Sequence, residues 1–210
     1  MVPDNSCNKW PSEINLKTSY LQLANLIFDI GKLLLKAIRI DDSIGLNHDL
    51  LTGCGRMLHY HQLRDCHDMN PNWCGGHYDH GVFTGLIPAY YFQNDIEIDE
   101  PDAAGLYIIP SNGHDYEKVQ GIDKSILLFQ VGEFCQILSN DCIRATKHIV
   151  KKANSAERHT FALFYSADLN ATVQSKSVLT MDERYLNNQV DGKMTFKKWH
   201  EASLARYLAY

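Results

Sequence analysis

The sequence lacks the features that mark nucleic-acid-binding and membrane-spanning proteins. Its 20 Lys and Arg residues stand against 25 Asp and Glu residues, for a net charge of -5, and neither sign gathers into a long run. A surface that coats a polyanion needs such a run of positive charge. The longest apolar stretch, at about residues 21–40, is interrupted by charged residues and is too polar to cross a bilayer. We therefore expect no nucleic-acid partner and no membrane partner.

A secretion signal and a disulfide pattern are missing as well. Residues 1–13 show no basic region followed by an apolar run and a small-residue cleavage site. The six cysteines form no CxxC pair, and a chain of 210 residues does not need disulfides to hold its core, so we expect free thiols. Both observations predict a reducing, cytoplasmic location.

The order of the hydrophobic segments predicts a mainly β protein with helices at both ends. Apolar residues at three- and four-residue steps predict an amphipathic helix over about 13–39, and a short helical turn follows near 47–51. Short apolar or alternating segments then predict strands at roughly ten-residue spacing. These predicted strands are 56–61, 82–87, 105–109, 117–121, 125–130, 134–139, 145–151 and 160–166. Two further helices are predicted at 181–188 and 195–208.

Eight strands with no helix between them favour a double-sheet jelly roll, or double-stranded β-helix, because parallel neighbours would need crossover helices. The sequence shows no internal repeat and no linker. We expect one structural domain with the helices packed outside the barrel. It consists of an N-terminal helical segment at 1–52, a jelly-roll core at 53–170 and a C-terminal helical tail at 171–210.

The histidines include the first candidates for chemistry, since ten in 210 residues exceed average usage. His77 and Asp79 lie two residues apart, so on a strand they project to the same face. Such a pair arises about once by chance in this composition, so a third ligand is required. His148, on the predicted strand 145–151, is the candidate. Two histidines and one carboxylate are the ligands of non-haem Fe(II) oxygenases, whereas zinc more often closes tetrahedrally, so iron is the predicted metal.

Arg158 and Thr160 form a candidate acid-binding pair. They follow His148 by about ten residues and share one face of the predicted strand, so a guanidinium and a hydroxyl can converge on one carboxylate. The guanidinium offers a fork of parallel donors that a lysine cannot imitate. The alternative is that Arg158 is a surface arginine in a solvated loop. The spacing of Arg158 from His148 makes this the weaker interpretation.

Five ordered segments resemble the catalytic half of the Fe(II)- and 2-oxoglutarate-dependent oxygenases, in the branch that contains isopenicillin N synthase. The segments are GRMLHYHQ, GGHYDHGVFTGLIP, AGLYIIP, VGEFCQILSNDCIRATKHIVKK and ERHTFALFY. The resemblance covers about residues 7–190, and the N-terminal region of the family is missing. It implies the jelly-roll fold and an enzyme that uses Fe(II), 2-oxoglutarate and O2 to hydroxylate or desaturate a small organic substrate, releasing succinate and CO2. Ascorbate is a further cofactor in this family.

The resemblance also implies roles for individual residues. It makes His77, Asp79 and His148 the iron ligands, and it assigns the distal carboxylate of 2-oxoglutarate to Arg158 with Thr160. Tyr60, on the first barrel strand, is expected to reach toward the same cosubstrate.

Several positions depart from the family pattern or lie beside its motifs. Thr160 stands where serine is usual, and Leu58 replaces an asparagine that points into the pocket of many relatives. Segment 87–104 is longer than in typical relatives and is expected to shape the substrate mouth. His80 is a candidate to orient a metal ligand from behind. His59 and His61 alternate on the first strand facing away from Tyr60, and a packing or solvated role is favoured over a ligand pair.

Two other functions stay open. One is a non-haem iron oxidase that does not use 2-oxoglutarate, in which Arg158 binds a substrate carboxylate. The other is a truncated, non-catalytic jelly-roll module that binds a metal. Succinate formation separates the first from the main hypothesis, and iron-dependent oxygen uptake separates the second. The sequence does not define the substrate or the oligomeric state.

Overall fold

The computed structural model describes residues 8–38, 51–62, 70–120, 123–153 and 155–208. Most of the helical turn predicted near 47–51 lies outside these ranges, as do two of the six cysteines. The other four, Cys54, Cys74, Cys135 and Cys142, are free thiols, as expected. In the described part of the chain, no helix combines the length and apolar character that crossing a membrane requires.

Helix α1, Leu16–Ala37, is the amphipathic helix that the apolar spacing predicts. It begins after Asn15, whose side chain accepts a hydrogen bond from the Thr18 N–H at 3.4 Å. Its buried face includes Phe28, which stacks on Tyr165 with ring centroids 5.5 Å apart. A Cβ at Gly31 would lie 2.3 Å from the Tyr165 hydroxyl, so only glycine allows the helix to approach the sheet this closely.

Twelve strands are described, all paired antiparallel. In chain order they are β1 Thr52–Tyr60, β2 Asn72–His77, β3 Phe83–Leu86, β4 Tyr90–Gln93, β5 Ile96–Ile98, β6 Gly105–Ile108, β7 Glu117–Lys118, β8 Leu128–Val131, β9 His148–Lys151, β10 Glu157–Ser166, β11 Thr172–Gln174 and β12 Lys193–Thr195. One sheet has the order β5-β4-β10-β3-β8, with β1 also paired to β10, and a second has the order β2-β9-β6-β7. The protein is therefore mainly β, with the curled antiparallel sheets of a jelly roll, as predicted.

Strand β10 organises the larger sheet. Strand β1 pairs with it from Thr52↔Ser166 to Tyr60↔Arg158. On its other side, β4 pairs with its first half and β3 with its second half. Alternate residues of β10 therefore face the barrel interior or the outside.

One predicted strand is wrong. Residues 134–139 were expected to form a strand, but helix α2 occupies Glu133–Leu138. All six of its residues are buried, so the segment has no polar face from which a helical period could be read. A short buried run in which Gln136 is flanked by apolar residues fits a strand equally well by sequence.

Strands β2, β4, β5, β11 and β12 were not predicted. Strand β2 has register shifts between Asn72 and Cys74 and again before His77, and such bulges break the two-residue alternation that marks a strand. The tail holds β11 and β12 as well as helices: a 3₁₀ helix at Val178–Met181, α3 at Glu183–Leu186 and α4 at Phe196–Leu208. The division at residues 52 and 170 stays a prediction.

The main core lies where α1, α2 and α4 pack on the larger sheet. Phe134 of α2 and Phe196 of α4 meet edge to face, with ring centroids 4.7 Å apart, and both are fully buried. Trp199 is also fully buried, and its indole N–H donates to the His80 carbonyl at 2.9 Å. The C-terminal helix is thereby tied to the loop that follows β2.

Candidate metal centre and anion site

Strands β2 and β9 bring the two predicted histidine ligands together. His77 and His148 are cross-strand partners, with ring centroids 4.1 Å apart. Asp79 follows β2 by two residues, and its Oδ1 lies 3.6 Å from Nε2 of His77 and 4.0 Å from Nε2 of His148. The three residues can offer ligand atoms that all lie within 4.8 Å of one another.

Hydrogen bonds on the far side of each histidine orient its inner nitrogen toward the other two ligands. Nδ1 of His77 lies 2.8 Å from the Gly75 carbonyl oxygen, and Nδ1 of His148 lies 3.1 Å from the Thr146 carbonyl oxygen. Backbone carbonyls in this position fix the tautomer that presents Nε2 to a metal.

The carboxylate is held in the same manner. Oδ2 of Asp79 accepts hydrogen bonds from the Thr84 hydroxyl and, at 2.8 Å, from the Gln130 side-chain amide. Adjacent ligands on a metal with bonds of about 2.1 Å lie about 3 Å apart, so shifts of about 1 Å close the site. Two imidazoles and one carboxylate with these outer partners fit an iron ion.

The loop that carries Asp79 is fixed by the start of α2. The Glu133 N–H donates to the Asp79 carbonyl at 2.7 Å, and the Phe134 N–H donates to the Gly81 carbonyl at 3.0 Å. These donors are first-turn N–H groups that have no partner within their own helix. A Cβ at Gly132 would lie 2.2 Å from the Gly81 oxygen, so this close approach requires glycine.

Gln130 is a contributor that the sequence reasoning missed. It lies on β8 opposite Thr84, and its side-chain nitrogen is 2.9 Å from Nδ1 and 3.1 Å from Nε2 of His148. The same nitrogen donates to Asp79, so one amide contacts two of the three ligands. Its only sequence signal is a polar residue at the end of an apolar strand, SILLFQV.

Burial and mutual contacts shift the pKa values of all three candidate ligands. Burial raises the pKa of the Asp79 carboxyl, but hydrogen bonds from His77 and Thr84 and the charge of His148 hold it below its usual value. Burial works in the opposite direction on His77, yet its hydrogen bonds to Asp79 and Cys74 raise its pKa to about 10. Burial and the nearby His77 lower the pKa of His148. The Asp79 carboxylate is therefore ionised although it is buried.

Arg158 is a buried cation that forms no ion pair with an acidic residue in the described part of the chain. Its exposure is 7%, and its Nε donates to the Tyr91 hydroxyl at 3.2 Å. The Tyr60 ring centre lies 5.3 Å from the guanidinium carbon, as the pairing of these two residues across β1 and β10 requires. Among the described residues, no carboxylate lies within 4 Å of this guanidinium. A buried charge without a partner is costly, so the site favours an anionic ligand.

Tyr91 is a second contributor that the sequence reasoning missed. Tyr91 is 1% exposed, and its hydroxyl links two charged groups. It accepts from Arg158 and donates to Glu100 at 2.9 Å. No local pattern indicates this link, since it depends on the hairpin of β4 and β5, which was not predicted.

Thr160 lies two residues after Arg158, on the same face of β10. Its hydroxyl donates to the Ile87 carbonyl at 2.9 Å, and its residue is 7% exposed. A hydroxyl has one proton to donate, so Thr160 can serve a carboxylate only by giving up this bond. Its role in binding a cosubstrate stays a prediction.

His80 is held by the C-terminal helix. Its Nε2 lies 2.8 Å from Nδ1 of His200, and burial together with His200 lowers its pKa to about 4. The pair ties the loop after Asp79 to α4. The predicted role of His80 in orienting a metal ligand stays a prediction.

One cavity of about 1880 Å³ joins these groups. All six predicted site residues line it: His77, Asp79, His148, Arg158, Thr160 and Tyr60. Apolar side chains, among them Leu58 and Leu106, form part of the remaining wall. A concave site with a few convergent polar groups is typical of a small-molecule pocket.

Comparison with known proteins identifies the fold. No protein-family model matches the chain, and no curated protein matches it. A full-length Neurospora crassa protein solved with alpha-KG (2-oxoglutarate) is 20% identical with a TM-score of 0.62, over 96% of this chain and 63% of that chain. A Caulobacter crescentus protein described as a member of the 2OG-Fe(II) oxygenase family is 19% identical with a TM-score of 0.67, over 95% and 62%. The rice dioxygenase for auxin oxidation is 20% identical with a TM-score of 0.59, over 91% and 58%.

The chain therefore has the fold of the 2-oxoglutarate- and Fe(II)-dependent oxygenases. At these identities the likeness concerns the fold. The chain spans less than two thirds of the length of each of these three proteins. The closer resemblance to the isopenicillin N synthase branch stays a prediction.

Proposed function

We propose that this chain is the catalytic part of an Fe(II)- and 2-oxoglutarate-dependent dioxygenase that oxidises a small organic molecule. The observation that carries the proposal is the convergence of two histidine Nε2 atoms and one carboxylate Oδ1 in the same cavity as a buried arginine that forms no ion pair with any described carboxylate. Its fold, that of known oxygenases of this class, supports the same function.

His77, Asp79 and His148 hold the iron in this proposal. Their outer atoms are fixed by backbone carbonyls, Thr84 and Gln130, so each ligand keeps its orientation when the metal is absent. Two histidines and one carboxylate are the protein ligands that non-haem Fe(II) oxygenases use. When bound, Fe(II) supplies the activation of O2 that couples oxidation of 2-oxoglutarate to succinate and CO2 with oxidation of the substrate.

Arg158 binds the distal carboxylate of 2-oxoglutarate in this proposal. Its guanidinium is oriented by the bond to Tyr91 and lies beside the ring of Tyr60. The two terminal nitrogens can form a two-bond fork with a carboxylate. Thr160 adds a third donor if its hydroxyl turns from the Ile87 carbonyl.

The substrate is proposed to be a small molecule that enters the same cavity. Two neighbouring folds support this, since the Neurospora protein has also been solved with thymine and the rice enzyme is named for auxin oxidation. Hydroxylation and desaturation both fit such a centre. The cytoplasmic location expected from the sequence stays a prediction.

The direct test is anaerobic titration of the protein with Fe(II) and 2-oxoglutarate, followed by succinate measurement on admission of O2. The expected result is a weak visible charge-transfer band and succinate formation that depends on both additions. His148→Ala should abolish the band, whereas His114→Ala, at an exposed histidine outside the cavity, should keep it.

Two other outcomes would contradict the proposal, and each favours one of the two alternative functions. Iron-dependent oxygen uptake without succinate points to an oxidase that does not use 2-oxoglutarate. Iron binding with neither succinate formation nor oxygen uptake, across a panel of small substrates, points to a non-catalytic module.

A further inference from the structure

A second group of potential metal ligands lies on the outer face of the barrel. Tyr60 and Arg158 line the cavity, so the residues that alternate with them on β1 and β10 project to the opposite face. These outward residues include His59, Glu157 and His159. The group is therefore separate from the buried centre, with the sheet between them.

The register of β1 and β10 brings this group together. His59 and His159 are direct cross-strand partners, and their rings stack with centroids 4.0 Å apart. Glu157 lies two residues before His159 and so shares its face. His61 adds a third imidazole, with its ring centroid 3.8 Å from that of His59.

The distances are those of a site that can close on a metal ion. Oε2 of Glu157 lies 2.8 Å from Nε2 of His59 and 3.5 Å from Nε2 of His159. The three residues can offer ligand atoms that all lie within 4.8 Å of one another. Ligands of a tetrahedral ion with bonds of about 2.0 to 2.1 Å lie about 3.3 Å apart. Only small side-chain movements are needed to reach that spacing.

The surroundings restrict how these side chains can move. Phe92 of β4 is the cross-strand partner of Glu157, and its ring meets His159 edge to face at 5.4 Å. The side chains of His59, Glu157 and His159 are each 39% exposed, so an ion can reach them from solvent. The ligands lie on a paired section of two long strands, and their backbone positions are therefore fixed before the ion arrives.

We propose that His59, Glu157 and His159 form a surface site for a divalent cation of the zinc type, with water completing the coordination. Imidazole nitrogens suit Zn²⁺, Cu²⁺ and Ni²⁺, whereas Mg²⁺ and Ca²⁺ require oxygen ligands. Three protein ligands and an open position are a common arrangement for exposed zinc. The bound ion joins the end of β1 to the start of β10, on the strands that carry Tyr60 and Arg158 on their inner face.

Zinc uptake, measured by equilibrium dialysis of the full chain at neutral pH, tests this site. The double substitution His59→Gln with His159→Gln should lower the uptake by one ion per chain. His114→Gln removes an exposed histidine elsewhere and should leave the uptake unchanged. The same double variant in a His148→Ala background should lower uptake by one ion again, because the buried centre is a different site.

Folding is checked separately by thermal unfolding without metal. Added Zn²⁺ should raise the unfolding temperature of the His148→Ala protein, and this increase should disappear when Glu157→Gln is added. An unchanged zinc count in the folded double variant overturns the proposal, as does a zinc-induced stabilisation that persists without Glu157. Neither result depends on whether the buried centre uses 2-oxoglutarate.

Discussion

Arg158 and Tyr91 are joined by a hydrogen bond of 3.2 Å from the guanidinium Nε to the phenol oxygen. The phenol O–H donates a hydrogen bond to the Glu100 carboxylate at 2.9 Å, so a buried tyrosine stands between the arginine and this acid. Burial raises the pKa of Tyr91, and Arg158 only partly offsets this, so the hydroxyl stays protonated. The terminal nitrogens of Arg158 are thereby left for a ligand in the cavity.

Replacing Arg158 should weaken 2-oxoglutarate binding and leave iron binding intact. Arg158→Gln keeps a polar side chain but removes the charged fork, whose loss is worth about 3 kcal/mol, or roughly a 100-fold rise in the dissociation constant. The anaerobic titration described above measures both constants. Tyr107→Phe, which removes a tyrosine hydroxyl outside the cavity, is the control. Unchanged 2-oxoglutarate affinity in a folded Arg158→Gln protein would contradict the assignment.

Gln130 should matter for the metal although it is not a ligand. Gln130→Leu removes the amide that contacts Asp79 and His148, and losing such an outer partner typically costs about 10- to 100-fold in metal affinity. The control variant is Gln174→Leu, which makes the same substitution at an exposed glutamine on β11. Fe(II) affinity measured by competition with a chelator checks the prediction, and equal affinities in the two variants would show that Gln130 does not position the ligands.

The ion pair between Glu133 and Arg184 should be a large contributor to stability. Two hydrogen bonds, of 2.6 and 2.8 Å, join the side chains, and Arg184 also lies over the Trp199 ring at 4.2 Å. Arg184→Leu leaves the buried Glu133 carboxylate without this partner and should cost about 3 to 5 kcal/mol in unfolding free energy.

A surface pair provides the matched control. Lys197 and Glu201 are half exposed and 4.0 Å apart, so Glu201→Gln should cost about 0.5 kcal/mol or less. Urea unfolding of both variants gives the comparison. Similar losses in the two proteins would mean that burial adds nothing to the Glu133–Arg184 pair.

Asp182 should make stability depend on acid pH. Partial burial raises the pKa of this carboxyl, but hydrogen bonds and charge from Arg184, with Arg206, lower it to about 2 from an ordinary value of 3.8. A carboxyl whose pKa is lower in the folded than in the unfolded state stabilises the fold at pH values above its unfolded-state pKa. This contribution is lost as the pH falls toward the folded-state pKa. The unfolding free energy of the wild type should therefore fall more between about pH 4 and pH 2 than that of Asp182→Asn. Parallel curves for the two proteins would exclude this contribution.

The sequence indicated candidate site residues and much of the larger sheet. His77 with Asp79, and Arg158 with Thr160, were selected because residues two apart on a strand share a face. The structure keeps the second pair on one face of β10, whereas β2 ends at His77 and Asp79 lies in the loop beyond it. Helix α1 was predictable for a related reason, since one buried stripe leaves a clear helical period. Both signals are local and can be read from a few consecutive residues.

The contributors that were missed depend on contacts between distant segments. Gln130 acquires its role from the pairing of β8 with β3, and Tyr91 acquires its role from the pairing of β4 with β10. His59 and His159 are 100 positions apart and meet only through the register of β1 with β10. Helix α2 was predicted as a strand because all of its residues are buried, so its sequence shows neither the helical nor the strand period of apolar residues.

By itself, the sequence determined which residues carry donor, acceptor and charged groups and which neighbours along a strand share a face. The tertiary structure decided which of these faces meet, because strand register is set by backbone pairing and core packing across the whole chain. That pairing turned two separate stretches into one buried centre and left Arg158 without an acidic partner among the described residues. It also placed two histidines and a glutamate together on the outside of the barrel.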